Sequence, residues 1–362
     1  MVYYVRFLKT PRIQQQKGSI YLSALICITT DLGDCFFAED VDLMVIARDH
    51  SSRALFEKTI KWNASNRELA ITLGPLPSNL AQQSMVLTVQ VPNLPGYSVS
   101  QYPLIPLVVG ATSAPFGSRS VPAEKLVQRQ IQYSGKAVPI QIWEETGNSI
   151  ARHIWDAGLA TVTYLHMICD NIKTARNGSQ GTEPKIPALK HVLSIDRSQP
   201  LQVVELGAGC GIVGIALATM LPNCSVILTD LPEVEDIVTR NINAAQLAAT
   251  SSLRYQNLDW DDPPDELCPR PIELILVSDC TYNADSLPAL VSTLDRLVRT
   301  SSEAIILVAL KRRHDSETVF FDLMRSAGFT AVQDSVEIPS QHDDVDEIEF
   351  YCYSRSTGGN SI

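Results

Sequence analysis

Several things are scarce in this 362-residue sequence, and each scarcity removes a class of protein. Positive charge is short: 29 Lys and Arg stand against 40 Asp and Glu, a net charge of −11. A surface of that sign repels polyanions, which excludes a nucleic-acid backbone as the main partner. The densest basic run, Lys311-Arg-Arg313, is only a tripeptide. No apolar run approaches the ~20 residues of a membrane-spanning helix, and the opening MVYYVRFLKTPRIQQQ lacks the basic segment and apolar core of a secretory signal. The eight cysteines form no CxxC pair, and neither they nor the six histidines fall at metal-ligand spacing. The expectation is a monomer without metal, off the membrane, with reduced thiols, in the cytoplasm or nucleus.

What is present is a packable core. Apolar residues make up 45% of the chain and charged ones 19%, and the length exceeds the roughly 100 to 200 residues of one domain. Runs rich in β-branched residues, Ile20–Thr29, Val41–Ala47, Lys58–Trp62, Leu69–Leu73 and Met85–Val91, alternate with turn-forming clusters and predict a β-rich module over residues 1–95. Six prolines between Pro92 and Pro122, among Gly and Ser, resist regular structure and predict a linker over 96–123. A second domain is expected over 124–356. Its signals are a helix over Ile150–Asp170, a polar loop over 177–187, and then alternating strands and helices from Leu201 to Ala327. Such alternation predicts an α/β fold with a parallel sheet covered by helices on both faces. Ala331–Ile338 and Glu347–Tyr353 follow without a helix between them, as in a closing antiparallel hairpin; the acidic stretch Asp343–Glu349 enters its second strand as a solvated turn.

The chemistry begins where the strand Leu201–Glu205 meets glycines at 207, 209, 211 and 214. Glycines between a strand and a helix let the backbone turn sharply and approach a ligand closely. The spacing Gly209-Cys-Gly211-Ile-Val-Gly214 also satisfies the GxGxxG of dinucleotide folds, so the loop alone does not choose the cofactor. Its neighbours do. Glu205, beside the loop, repels a pyrophosphate but can pair with the ammonium of a methionine moiety. Asp230 closes the next strand and can accept hydrogen bonds from ribose hydroxyls, which suits either cofactor. Asp259 and Trp260 end the third strand with an acid for an adenine amino group and an indole to cover a ring. The set points to S-adenosylmethionine and a methyltransferase.

Over residues 138–353 the sequence resembles the seven-β-strand lysine-methyltransferase-like group known as methyltransferase family 16. The resemblance rests on Ile154-Trp155-Asp-Ala157, Glu205-Leu-Gly-Ala-Gly209, Thr229-Asp230, Leu258-Asp259-Trp260 and Ser278-Asp279-Cys-Thr-Tyr282, the last matching the family's DxxY motif. It implies a Rossmann-like, seven-stranded class I methyltransferase sheet. It implies further that Trp155 walls the cofactor site, Glu205 and Gly207 hold the methionine part, Asp230 the ribose, and Asp259 with Trp260 the adenine end. Gly209, Gly211 and Ser278 complete the cofactor-binding set, while Asp279 and Tyr282 face the substrate amine. The Cys280-Thr281 interior of DxxY departs from the more apolar family pattern.

Each of these residues also has a plainer reading: a tight turn for the glycines, plain core for Trp155, a helix cap for Asp230, an acidic turn for Asp259. The leading expectation is a protein-lysine N-methyltransferase acting on a protein client of elongation-factor or chaperone type, which the β-rich module recruits. Methylation of a small molecule, or a non-catalytic cofactor-binding module, are the alternatives.

Overall fold

Alternation of inward apolar and outward polar residues governs the first part of the chain in the computed structural model, which describes residues 1–355 except 17, 93–104, 118–120, 133–138, 148, 177–184, 195–196, 265–266, 314–316 and 339–345. Ten strands arise there: β1 (Tyr3–Gln16), β2 (Ser19–Thr30), β3 (Val41–Asp49), β4 (Ala54–Trp62), β5 (Leu69–Leu76), β6 (Met85–Gln90), β7 (Val108–Val109), β8 (Ala111–Ser113), β9 (Leu126–Ile131) and β10 (Ile140–Glu145). In β6 and β10 every second residue is buried, the period-two signature of a strand with one face on a core. They form a four-stranded sheet, β5-β2-β1-β7, and a six-stranded sheet, β10-β9-β8-β6-β3-β4. Inward residues of both, among them Val5, Leu22, Ile26, Leu43, Trp62, Leu87 and Val127, make one core. Arg129 lies in this unit almost wholly buried. Its guanidinium bonds Glu144 and donates to the carbonyls of Val5 and Gly110.

This compact unit runs from Met1 to His153. The boundaries drawn from proline content, with a linker over 96–123 and a second domain from 124, fall inside it. The prolines at 106, 115 and 122 sit between short strands rather than in a free connection, and β8, β9 and β10 complete the six-stranded sheet by antiparallel pairing. Prolines 95 and 103, most of the polar loop over 177–187, and residues 343–345 of the acidic stretch lie outside the described residues.

The second unit starts at Ile154. It contains α1 (Asp156–Arg176), α2 (Pro187–Ser194), β11 (Leu201–Leu206), α3 (Ile212–Met220), β12 (Cys224–Asp230), α4 (Glu235–Ala244), β13 (Ser252–Asn257), β14 (Leu274–Ser278), α5 (Leu287–Thr300), β15 (Ile305–Leu310), α6 (Thr318–Ser326), β16 (Phe329–Ile338) and β17 (Asp346–Arg355). The seven strands lie in the order β13-β12-β11-β14-β15-β17-β16. The first five run parallel, and β17 inserts antiparallel between β15 and β16. This is the class I methyltransferase topology expected from the alternation and the terminal hairpin.

β11 and β15 are buried at every position, as strands are when helices cover both faces of the sheet, although β11 carries Gln202 and Glu205 into that interior. α3 is likewise buried all round, which its sequence IVGIALATM permits because it carries no charge. The chain leaves β11 outward through β12 and β13, then returns to the other side of β11 as β14. The crevice at the carboxyl ends of β11 and β14 is thus a topological switch point, where open α/β sheets bind their ligands.

Candidate functional site at the carboxyl ends of the parallel strands

The loop after β11 is built on three left-handed glycines, Gly207, Gly209 and Gly211, with φ of 65°, 53° and 78°. A residue with a Cβ pays roughly 1–2 kcal/mol for each such angle, so the run is restricted to glycine on backbone grounds. Space adds to the restriction at Gly207, where a Cβ would stand 2.5 Å from Cys280 Sγ and 3.3 Å from the Trp260 ring. The glycine loop, the loop after β13 and the DxxY segment after β14 therefore converge on one point.

Two carboxylates organise the loop. Glu205 is 2% exposed, and its Oε2 accepts the backbone N–H of Gly214 at 2.7 Å. Burial pushes its carboxyl up to about 8, although the Gly214 bond pulls the other way. Asp230, at the tip of β12, accepts Gly209 N–H on Oδ2 and Leu231 N–H on Oδ1, each at 2.7 Å. Burial raises its pKa as well. Two further bonds, not legible from the motifs, hold the turn. Thr229 Oγ1 donates to the Glu205 carbonyl at 2.7 Å, and the fully buried Asn241 of α4 donates to the Cys210 carbonyl at 2.8 Å.

The remaining expected residues are placed as follows. Trp260 is half-buried beside Gly207, and its carbonyl accepts the Thr293 hydroxyl of α5 at 3.2 Å. Asp259 is exposed and turned into its own loop, where Oδ1 accepts Asp261 N–H at 3.0 Å. The Ser278 hydroxyl, at the end of β14, is buried without a hydrogen-bond partner among the described residues. Tyr282 is 58% exposed on the loop beyond β14. Cys280 and Thr281 are both buried, and the Cys280 thiol points to the Leu206 and Ser278 carbonyls at 3.5 and 3.3 Å. The polar interior of DxxY is thus a packed element that fills the space Gly207 leaves.

Asp279 has φ of 57°, and its N–H is bonded to the Ala309 carbonyl of β15 at 2.8 Å. Its carboxylate is gripped by Arg313, with Nη1 at 2.7 Å from Oδ1 and Nη2 at 2.9 Å from Oδ2. The same guanidinium lies over the Trp155 ring at 5.5 Å from its centroid. Trp155 immediately precedes α1, and its carbonyl accepts the first N–H groups of that helix, from Gly158 and Leu159. Helix α1 therefore begins at Asp156 rather than at Ile150, which leaves Trp155 at the strand tips.

Motif reading did not single out Arg313, because it sits in what looks like a small basic patch. Tertiary structure gives each cation of that run a carboxylate partner. Lys311 reaches the fully buried Asp156 at 2.9 Å, Arg312 bonds Glu349 at 2.7 Å, and Arg313 takes Asp279.

Such a cradle can do three things. Its glycine backbone can lie against an extended ligand, its carboxylates can accept hydroxyl or ammonium protons, and the unfilled Ser278 hydroxyl can bond a group entering between β11 and β14. A methionine-bearing nucleoside has complementary groups. Comparison with known proteins agrees with the topology. A UPF0665 family protein of Schizosaccharomyces pombe is 27% identical over 325 residues, 88% of this chain and 91% of that protein. The protein-lysine N-methyltransferase EFM6 of Saccharomyces cerevisiae is 26% identical over 219 residues, 56% of this chain and 82% of that protein. The protein N-lysine methyltransferase METTL21A of Danio rerio is 26% identical over 187 residues, 51% and 71% of the two chains. The profile of the family described as lysine methyltransferase matches residues 135–327, more than half of the sequence and all of the elements that build the crevice. The chain belongs to the lysine methyltransferase family.

Proposed function

We propose that this methyltransferase uses S-adenosylmethionine to methylate a lysine side chain of a protein client. The observation that carries the reading is the joint placement, at one switch point, of the left-handed glycine loop with Asp230 and of the DxxY segment with Asp279. Relatives named as protein-lysine methyltransferases support the choice of acceptor.

In this reading Gly207, Gly209 and Gly211 bring the backbone against the cofactor. Glu205 faces its ammonium end, Asp230 offers carboxylate lone pairs to the ribose, Asp259 and Trp260 lie toward the adenine, and Trp155 and Ser278 line the remaining wall. When bound, S-adenosylmethionine supplies a methyl group already activated by its sulfonium, so the protein's task is alignment rather than proton transfer. Asp279 accepts the N–H of the incoming amine and aims its lone pair. The exposed ring of Tyr282 packs along the lysine stem. A lysine in water has a pKa of about 10.4, and the site must therefore select the neutral form.

The eight cysteines, none of them in a disulfide and most of them buried, support a reducing compartment, the cytoplasm or nucleus. The Schizosaccharomyces pombe relative matches along 88% of the chain, which takes in much of the β-rich unit as well. The role we assign to that shared unit is recruitment of the client.

The test is incubation with isotopically labelled S-adenosylmethionine and a cell extract of the source organism, with gel separation and mass-spectrometric location of the label. Methyl-lysine in a discrete protein is the expected result. Label confined to small molecules would overturn the choice of acceptor, and absence of cofactor binding in calorimetry would overturn the reading altogether.

A further inference from the structure

We propose that Arg313 is the positioning residue of the acceptor site, holding Asp279 in a two-armed ion pair so that the incoming amine meets a carboxylate whose charge is already balanced. The inference rests on the lysine-methyltransferase reading above and concerns how that site favours the reactive form of the amine.

The geometry supports positioning from several directions. Both ends of the fork are short, and the two side chains are only 18% and 5% exposed. Arg313 is itself fixed, by stacking on Trp155 and by its backbone N–H, which donates to the buried Glu317 at 3.1 Å. Asp279 is tied to the same strand exit through its N–H bond to Ala309. Because β15 runs directly into Lys311, Arg312 and Arg313, one strand orients both the backbone and the carboxylate of Asp279. Lys311 and Arg312, committed to Asp156 and Glu349, do not compete for it.

The chemical consequence follows from charge. A lone, sheltered carboxylate pairs with an ammonium ion and raises its pKa, which stabilises the form of lysine that has no lone pair to give. A carboxylate already held by a guanidinium keeps acceptor lone pairs for an amine N–H but offers little net attraction to a second cation. Arginine suits this task because it does not lose its proton in proteins. The neutral amine nitrogen then forms the N–C bond as the C–S bond breaks, the electron pair of that bond staying on sulfur. Positive charge passes from the sulfonium to the methylated ammonium, which gives its surplus proton to solvent. The other charged or titratable groups around the pair are Cys280 and Tyr282 on its own loop, Glu205 and Asp230 on the strands beside it, Glu317 and Lys311 beyond β15, and Asp156 opening α1. Lys311 is held by Asp156 and Asp346.

The test uses the full chain with labelled S-adenosylmethionine and the source-organism extract, following protein-bound methyl-lysine from pH 6 to 10. Arg313→Gln removes the guanidinium charge from Asp279. The midpoint of its rate profile is expected to rise by about one pH unit or more, with at least a roughly tenfold lower rate at pH 7.5. Arg313→Lys keeps the charge without the fork and should restore the midpoint but not the full rate. The double variant Arg313→Gln with Asp279→Asn should bring the midpoint back toward wild type, since no net charge remains. Calorimetry should show unchanged cofactor affinity. In cofactor-free protein Arg313→Gln and Asp279→Asn should each lower the melting temperature, and the double variant should lower it by less than the sum of the two, the mark of a coupled pair. An Arg313→Gln profile superimposable on wild type would overturn the proposal, and, if Arg313→Gln failed to fold, an Arg313→Lys enzyme at full rate would do the same. Wild-type enzyme that labels no protein would instead overturn the underlying reading, and this one with it.

Discussion

Gly214 donates its backbone N–H to Glu205 at 2.7 Å and also vacates the space that carboxylate occupies, since a Cβ on Gly214 would stand 2.6 Å from Glu205 Oε2. The same Cβ would lie 2.4 Å from Leu228 and 2.9 Å from Val226, both fully buried on β12. Gly214→Ala gains up to about 1 kcal/mol of helix propensity but overpacks a closed core at a cost of about 1–3 kcal/mol. The expected outcome is a lower melting temperature together with weaker cofactor binding. A stabilised variant that binds normally would show that the carboxylate does not need this seat.

Burial holds the Glu205 carboxyl near 8, above the usual carboxylate range. An acid whose folded pKa is raised keeps its proton in the folded state after the unfolded chain has lost it, so stability falls as pH rises from about 4.5 toward 8. Glu205→Gln should flatten that slope, which urea unfolding at pH 5, 7 and 8.5 would measure. An ammonium arriving beside Glu205 favours its ionised form. Cofactor binding at pH 7 should therefore release protons, seen as a dependence of calorimetric heat on buffer ionisation enthalpy, and Glu205→Gln should abolish the release.

Asp230→Asn tests the loop from the other side. Both oxygens of Asp230 accept backbone N–H groups, and an amide can replace only one of them while turning an NH2 toward the other donor. Loss of a charge-assisted bond of about 1.5–3 kcal/mol corresponds to roughly 10- to 100-fold weaker cofactor binding by calorimetry.

Asp279→Asn keeps a side chain that tolerates the left-handed φ but removes the charge that pairs with Arg313. Turnover should drop about 100-fold with little change in cofactor affinity. Equal loss of both would mean that Asp279 serves the cofactor pocket instead of the acceptor.

In the β-rich unit, burial alone would raise the Glu144 carboxyl, yet the Arg129 guanidinium together with His153 and Arg6 outweighs it and holds the group at about 2. A depressed pKa contributes stability that is present above the unfolded value near 4.5 and is lost as pH falls toward 2. Arg129→Met leaves Glu144 buried without its cation, and about 3–5 kcal/mol of destabilisation is expected in chemical unfolding at neutral pH. The loss should shrink in acid, where Glu144 takes up a proton.

Elements whose burial is simple were legible in the sequence. Helices α3 and α5 lie where the apolar pattern places them, and the five parallel strands fall within a residue or two of their apolar runs. Where burial depends on distant partners, the pattern was silent. β1 ends in the mostly polar residues 12–16 and is a strand because it pairs with β2 along its length. β7 to β10 hide among prolines, and only pairing to other strands makes them part of a sheet.

The candidate site divides in the same way. The sequence by itself determined the glycine loop, Glu205, Asp230 and the DxxY segment, because strict local demands, a left-handed φ or an acid at a strand tip, leave a mark within a few residues. Only the tertiary structure decided that Glu205 lies against the start of α3, that Cys280 fills the space beside Gly207, and that Arg313 leaves its basic run to clasp Asp279 beneath Trp155. Ion pairs and ring stacking act through space across 34 and 158 residues of sequence separation, and no local pattern encodes which cation will find which carboxylate.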